Sequence, residues 1–219
     1  MWRDALLVAQ KDLRVELRSR VATNQVVPFA LVVLVLFAFA LDPSTGLLLE
    51  AAPGLYWVAV CFAAVLATQR SFSLEPGGDA LRCSGLDPAG VFLGKAMAVA
   101  LQLALLQAVL TAGVVVLYGV SLRSGVVLLG AGLATTVGLA ASGVLYGLLT
   151  GGIQVRETLL PLLLLPVLAP VLLSATRVWA AALAGTPSFA GPWLSLLAVF
   201  AAVYTAAGIV AFPALMEVS

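Results

Sequence analysis

Apolar runs without a single charged side chain recur along most of this chain, separated by short polar breaks. They occupy residues 21–41, 51–69, 96–122, 126–155, 158–176 and 192–216. A helix needs roughly 20 apolar residues to cross a hydrocarbon core, and each run meets or approaches that length. The pattern predicts six membrane-spanning helices in one domain, residues 21–219, preceded by a different kind of helix over residues 1–20. There Trp2, Leu6, Ala9, Leu13 and Leu17 return every three or four positions, so they share one face. Arg3, Lys11, Arg14, Arg18 and Arg20 dominate the remainder. An apolar stripe beside a basic face suits the lipid interface and not the hydrocarbon core. No stretch here reads as a cleavable leader, because charges run through the first twenty residues.

The longest polar break is residues 70–95, RSFSLEPGGDALRCSGLDPAGVFLGK, with Arg70, Glu75, Asp79, Arg82, Asp87 and Lys95. It predicts a coupling loop that meets a soluble partner. Asp87-Pro88 divides it: an Asp can cap free N–H groups and a Pro tolerates the first helical position, so a helix starts there. Residues 75–85 remain as the exposed contact, with a short helical turn at Asp79-Ala80-Leu81-Arg82. Further breaks fall at residues 42–50, at Arg123-Ser124-Gly125, at Arg156-Glu157 and at an expected outer loop, 177–191.

Charge placement sets an orientation. With the N-terminus inside, nine of the eleven basic residues lie on the inner side, leaving Arg123 and Arg177 outside. That asymmetry predicts both termini and the 70–95 loop in the cytoplasm. Tyr56, Trp57, Tyr118, Trp179 and Trp193 fall near the expected outer ends, which predicts an interfacial aromatic belt.

Composition narrows the function classes. With 63% apolar and 10% charged residues, the chain cannot cover a soluble globule. Its basic residues form no stripe for nucleic acid. There is no histidine, which removes the commonest metal ligand and general base. Cys61 is expected to be a buried apolar residue and Cys83 an unpaired thiol in the loop. No carboxylate or basic residue sits in mid-span, which argues against ion-coupled transport. Gly90-Val-Phe-Leu-Gly94-Lys95-Ala96 imitates a phosphate loop but is one residue short and lacks the metal-binding hydroxyl. No catalytic constellation is present, so energy for any work must come from another polypeptide.

Two spans carry unusual packing residues. The fourth has ladders of small residues, Gly130, Ala134, Gly138, Ser142 and Gly143, Gly147, Gly151. Spacing of four permits close helix approach, either as a seam between copies or as packing within one. The fifth has Pro161, Pro166 and Pro170, each removing a helix donor, and is expected to be bent and buried as a hinge or a fixed shape. Gln107 and Thr111, four apart, suit interhelical hydrogen bonds or a polar path.

Four stretches together resemble one family: KDLRVELRSR (11–20), RSFSLE (70–75), LDPAGVFLGK (86–95) and RETLLPLLLLPVLAPVLL (156–173). Chain length and the number of spans agree as well. The chain is similar to the CcmB-type permeases, the B subunit of the haem exporter of cytochrome c maturation. One departure is the Pro76-Gly77-Gly78 that follows Glu75, where the family loop is richer in acidic residues.

The resemblance implies an all-α polytopic fold like that of the ABC-2 exporter permeases, in the inner membrane of a bacterium. It implies a cytoplasmic ATP-hydrolysing subunit, a second copy of the permease, haem-handling membrane subunits and a periplasmic haem chaperone as partners. Haem is then cargo, and ATP is bound by the partner. Glu75, Asp79, Leu81, Arg82, Arg156 and Glu157 are the expected ATPase contacts. With no histidine, haem iron would be ligated by partner subunits, although Cys61, Met97 and the tyrosines remain as other donors. Export of a lipid or drug by the same architecture, or a scaffold that anchors the ATPase without transport, would use the same features.

Overall fold

The computed structural model describes residues 1–19, 26–41, 46–73, 85–120, 124–150 and 156–218, and every regular element in them is helical. In chain order they are α1 (Trp2–Ser19), α2 (Val27–Ala40), α3 (Leu47–Ser73), α4 (Pro88–Tyr118), α5 (Gly125–Leu149), α6 (Arg156–Leu183), a 3₁₀ turn (Pro187–Ala190) and α7 (Gly191–Val218). Five of these, α3 to α7, are long and apolar enough to cross a membrane, and α2 is a shorter apolar helix. The beginning of the first expected span lies outside the described residues. The protein is an all-α polytopic membrane protein. The physical reason is that hydrocarbon offers no hydrogen bonds, so each span must satisfy its backbone internally.

Local signals account for several boundaries. Asp87 caps α4 by accepting a hydrogen bond from the Ala89 N–H at 3.2 Å, with Pro88 in the first helical position. The same helix ends where Gly119 takes a left-handed conformation, φ 65°, which spares any Cβ penalty. Most spans run longer than the apolar pattern predicts. Glu50 lies in the first turn of α3. The expected outer loop at 177–191 is helical as far as Leu183, because a one-turn charge at Arg177 does not break a helix.

The buried face of α6 is a stripe of Leu160, Leu164, Leu168, Val171, Ala175 and Val178. Pro166 and Pro170 are exposed on the opposite side and Pro161 is half-buried. The helix is therefore not enclosed by its neighbours, contrary to the reading of its prolines. Tight interhelical contact needs a regular ridge, which the leucines supply and the pyrrolidine rings would interrupt.

The aromatic residues correct the pattern in a second way. Tyr56, Trp57 and Trp179 are buried where α3 meets α6 and form no belt. Tyr56 stacks on Trp179 with centroids 4.0 Å apart, and Trp57 meets Tyr56 edge-on at 5.1 Å. Tyr118 is buried too, its hydroxyl donating to the Leu34 carbonyl at 3.0 Å. Large amphipathic rings gain more from packing against each other than from the interface when a neighbouring helix offers them a flat surface.

Polar side chains inside the bundle bond helix to helix. Gln107 Nε2 donates to Thr136 Oγ1 at 2.9 Å across α4 and α5. The Tyr56 hydroxyl donates to the Gln107 carbonyl at 3.3 Å and lies 3.2 Å from Thr111 Oγ1. Of the two roles open to Gln107 and Thr111, interhelical bonding is the one they have.

Candidate functional site

The two ends of the long polar break are helical stems: residues up to Ser73 finish α3, and residues from Pro88 begin α4. The interrupted segment is therefore shorter than residues 70–95. Both stems are held by α1, and the hold has three parts.

The first is a groove. Gly90 and Gly94, four apart on α4, leave room for the α1 backbone. A Cβ on Gly94 would stand 2.7 Å from Val8 Cβ, and one on Gly90 would stand 2.8 Å from the Met1 carbonyl oxygen. Ala5, Val8 and Ala9 fill the groove from the α1 side. The stretch that imitates a phosphate loop is thus a small-residue seat for a helix.

The second part is a buried ion pair. Lys95, two turns into α4, is 0% exposed. Its Nζ lies 3.4 Å from Asp12 Oδ2 and donates to the Ser71 carbonyl at 3.0 Å, five ångströms (5.0 Å) above the Phe72 ring. Ser71 Oγ donates to the same Asp12 oxygen at 3.3 Å, and Lys11 Nζ is 3.2 Å from the other. A buried ammonium is tolerated only when paired and hydrogen-bonded, and here one carboxylate, one helix-terminal carbonyl and one aromatic face share that task.

The third part is Arg70. Its Nε is 3.4 Å from Glu16 Oε2 and its Nη2 donates to Ser19 Oγ at 3.0 Å. Asp12 and Glu16, four residues apart, lie on the same side of α1. The Asp87 N–H also donates to Asp4 Oδ2, at 3.5 Å, so α1 reaches the first residue before α4.

Gripping the bundle uses a face of α1 adjacent to the expected lipid stripe. Of that stripe, Ala9 is buried on the protein, whereas Trp2, Leu6 and Leu17 point outward, Trp2 at 67% exposed. The helix has three faces: one of small and acidic residues against the bundle, one apolar and outward, and one basic.

The α3 stem is fixed from its other side by α5. A Cβ on Gly147 would stand 2.5 Å from Phe72 Cε2, and Gly143 lies directly against the Thr68 hydroxyl. The ladder residues Gly143 and Gly147 therefore pack within one subunit, and Gly138 receives Phe200 of α7. Gly151 falls outside the described residues.

Of the expected ATPase contacts, Glu75, Asp79, Leu81 and Arg82 lie outside the described residues, as does Cys83. Arg156 and Glu157 open α6. Among the expected iron donors, Cys61 is buried in the core and Met97 faces outward. Around the stems lie residues that the sequence reading did not single out: Asp12 and Glu16 of α1, Ser71 of α3, and Lys95 of α4 as a buried partner. One signal was available, since Asp12 and Glu16 are i, i+4 carboxylates on a helix whose other charges, Asp4 apart, are basic.

Comparison with known proteins agrees with this architecture. A family model described as CcmB protein matches residues 3–219. Heme exporter protein B of Pseudomonas aeruginosa is 31% identical over 205 residues, covering 92% of each chain. That relationship spans α1, both stems and all the membrane helices, and on it the chain belongs to the CcmB protein family.

Proposed function

We propose that this chain is the permease subunit of an ATP-driven haem exporter in the inner membrane of a bacterium, with both termini cytoplasmic. The haem assignment draws on the name of the Pseudomonas relative and on family membership. The orientation draws on the sequence count, in which nine of the eleven basic residues fall on the expected inner side, five of them in residues 1–20.

The observation that carries the mechanism is the Lys95–Asp12 pair. It ties α1 to the inner ends of α3 and α4, so the two stems and α1 are linked as one unit. Residues 75–85, with Glu75, Asp79, Leu81 and Arg82, dock on a cytoplasmic ATPase subunit, and Arg156 and Glu157 add a second contact. Leu81 is the apolar anchor and the charges form its rim. Closure of the nucleotide-bound ATPase pushes the stems, and α3 and α4 tilt against the glycine seam of α5. The chain itself performs no bond chemistry. Haem passes to membrane partners that ligate its iron and on to a periplasmic chaperone.

A second copy of the chain is supported by the outward face of α6. Proline at 166 and 170 cannot donate to the carbonyls of Leu162 and Pro166 on that face. In hydrocarbon a neighbouring helix is one source of partners for such carbonyls, and a second copy would supply it on this face.

Replacing Leu81 and Arg82 together by Asp tests the coupling. Loss of ATPase capture and of permease-stimulated ATP hydrolysis is expected, with the permease still inserted. Unchanged capture and stimulation would refute the contact.

A further inference from the structure

At the α1 end of the bundle a slot of about 350 Å³ opens between α1, α2, α3 and α4. Its walls are Leu17, Val27, Ala63, Ala67, Leu103 and Leu106, and its polar residues are Glu16, Arg70 and Gln102. A volume of a few hundred Å³, mostly apolar with few polar groups, is the usual make-up of a ligand site.

The slot has a direction. Ala63 precedes Arg70 by seven residues on α3, so the space extends ~10 Å along the helix from the charged end into the apolar bundle. Two alanines on α3 create it, where larger side chains would close the gap. It opens sideways, past Leu17, Leu101 and Leu105, all exposed. Those rims continue the surface that the spans turn to hydrocarbon, so lipid and not water meets the mouth.

Charge selects the head of the occupant. Arg70 and Glu16 balance each other at the inner end. Arg14 lies three residues before Leu17, hence beside it on the helix, and Arg18 follows; both are exposed. The rim is therefore cationic at the level of lipid headgroups, where anionic phospholipids concentrate basic side chains. Among the described lining residues none carries a thiol, thioether or phenol, so an iron porphyrin finds no axial ligand in the slot.

We propose that the slot holds one acyl chain of an anionic phospholipid, its phosphate beside Arg14 and Arg18. The lipid would fill the gap between α1 and the spans and complete the seat of α1. The proposal depends on the membrane setting and stands apart from the identity of the cargo.

The test uses the full chain in mixed phosphatidylglycerol and phosphatidylethanolamine vesicles, doped with either lipid carrying a mid-chain diazirine. Photolabel from phosphatidylglycerol is expected on Ala63, Leu103 and Leu106, which are buried and line the slot. Label from phosphatidylethanolamine at these positions should be several-fold weaker. Ala67→Phe fills the slot without replacing an ion-pair residue and should abolish that label, while label on the exposed Leu196 and Val203 of α7 reports an intact fold. Label confined to exposed positions in the wild type overturns the site whether or not the variant folds. Undiminished label in a folded Ala67→Phe does the same, and equal labelling by both lipids overturns the headgroup assignment.

Discussion

Asp12 and Lys95 are 83 residues apart in sequence and stand 3.4 Å apart at the crossing of α1, α3 and α4. Asp12 lies far outside the polar break and Lys95 is its last residue, and the pair joins α1 to the two helical stems that flank it. Through it, α1 is both a surface helix and a clamp on two spans.

Breaking the pair on one side should be far worse than replacing it. Lys95→Met or Asp12→Leu alone leaves one buried charge and is expected to cost about 3–5 kcal/mol, whereas the double replacement should recover most of that loss. Unfolding of the four proteins in detergent measures the cycle. Additive losses would mean that the two charges do not act on each other.

The seat of α1 depends on the absence of a side chain at Gly94. Gly94→Leu should lift α1 from α4, because its backbone occupies the space that a Cβ needs. A cysteine at Val8, buried in the wild type, should then react with a water-soluble maleimide at many times the wild-type rate. Protection that persists in Gly94→Leu would show that α1 is held by its ion pairs alone.

Overpacking and relief can be separated at the α5 seam. Gly147→Ala should destabilise by about 1–3 kcal/mol by pressing on Phe72. Phe72→Ala removes the obstacle, so the combination should lose less than the two single changes added together. Thermal unfolding of the set decides, and strict additivity would count against the contact.

Trp179 and Trp2 distinguish a core aromatic from a lipid-facing one. Trp179→Ala removes a ring stacked on Tyr56 and should cost about 3–5 kcal/mol. Trp2→Ala, at an exposed position, should leave stability in detergent almost unchanged. Comparable melting temperatures for the two variants would return Trp179 to the interfacial belt.

Near-neighbour chemistry was readable without a structure. Uncharged runs announce helices in lipid, and Asp87-Pro88 announces the start of α4, because both depend on residues within a turn or two of each other. The glycines at 143 and 147 likewise announce a close approach. They do not name the visitor, since every helix presents several faces and Thr68 and Phe72 are one choice among many.

Lys95 marks the boundary between the two kinds of knowledge. Read along the chain it ends a polar stretch, and a charge there looks solvated. In the folded protein it lies two turns inside α4, where a carboxylate from α1 and a carbonyl from α3 remove the need for water. The same holds for Tyr56, Trp57 and Trp179, which look interfacial by position and are core by contact. Sequence by itself determined the all-helical membrane fold, the number of apolar segments and the place of the polar break, all consequences of local period and hydrophobic length. Only the tertiary structure decided which faces meet, which charges are paired and which face of α1 grips the bundle, because those depend on contacts between residues far apart in the chain.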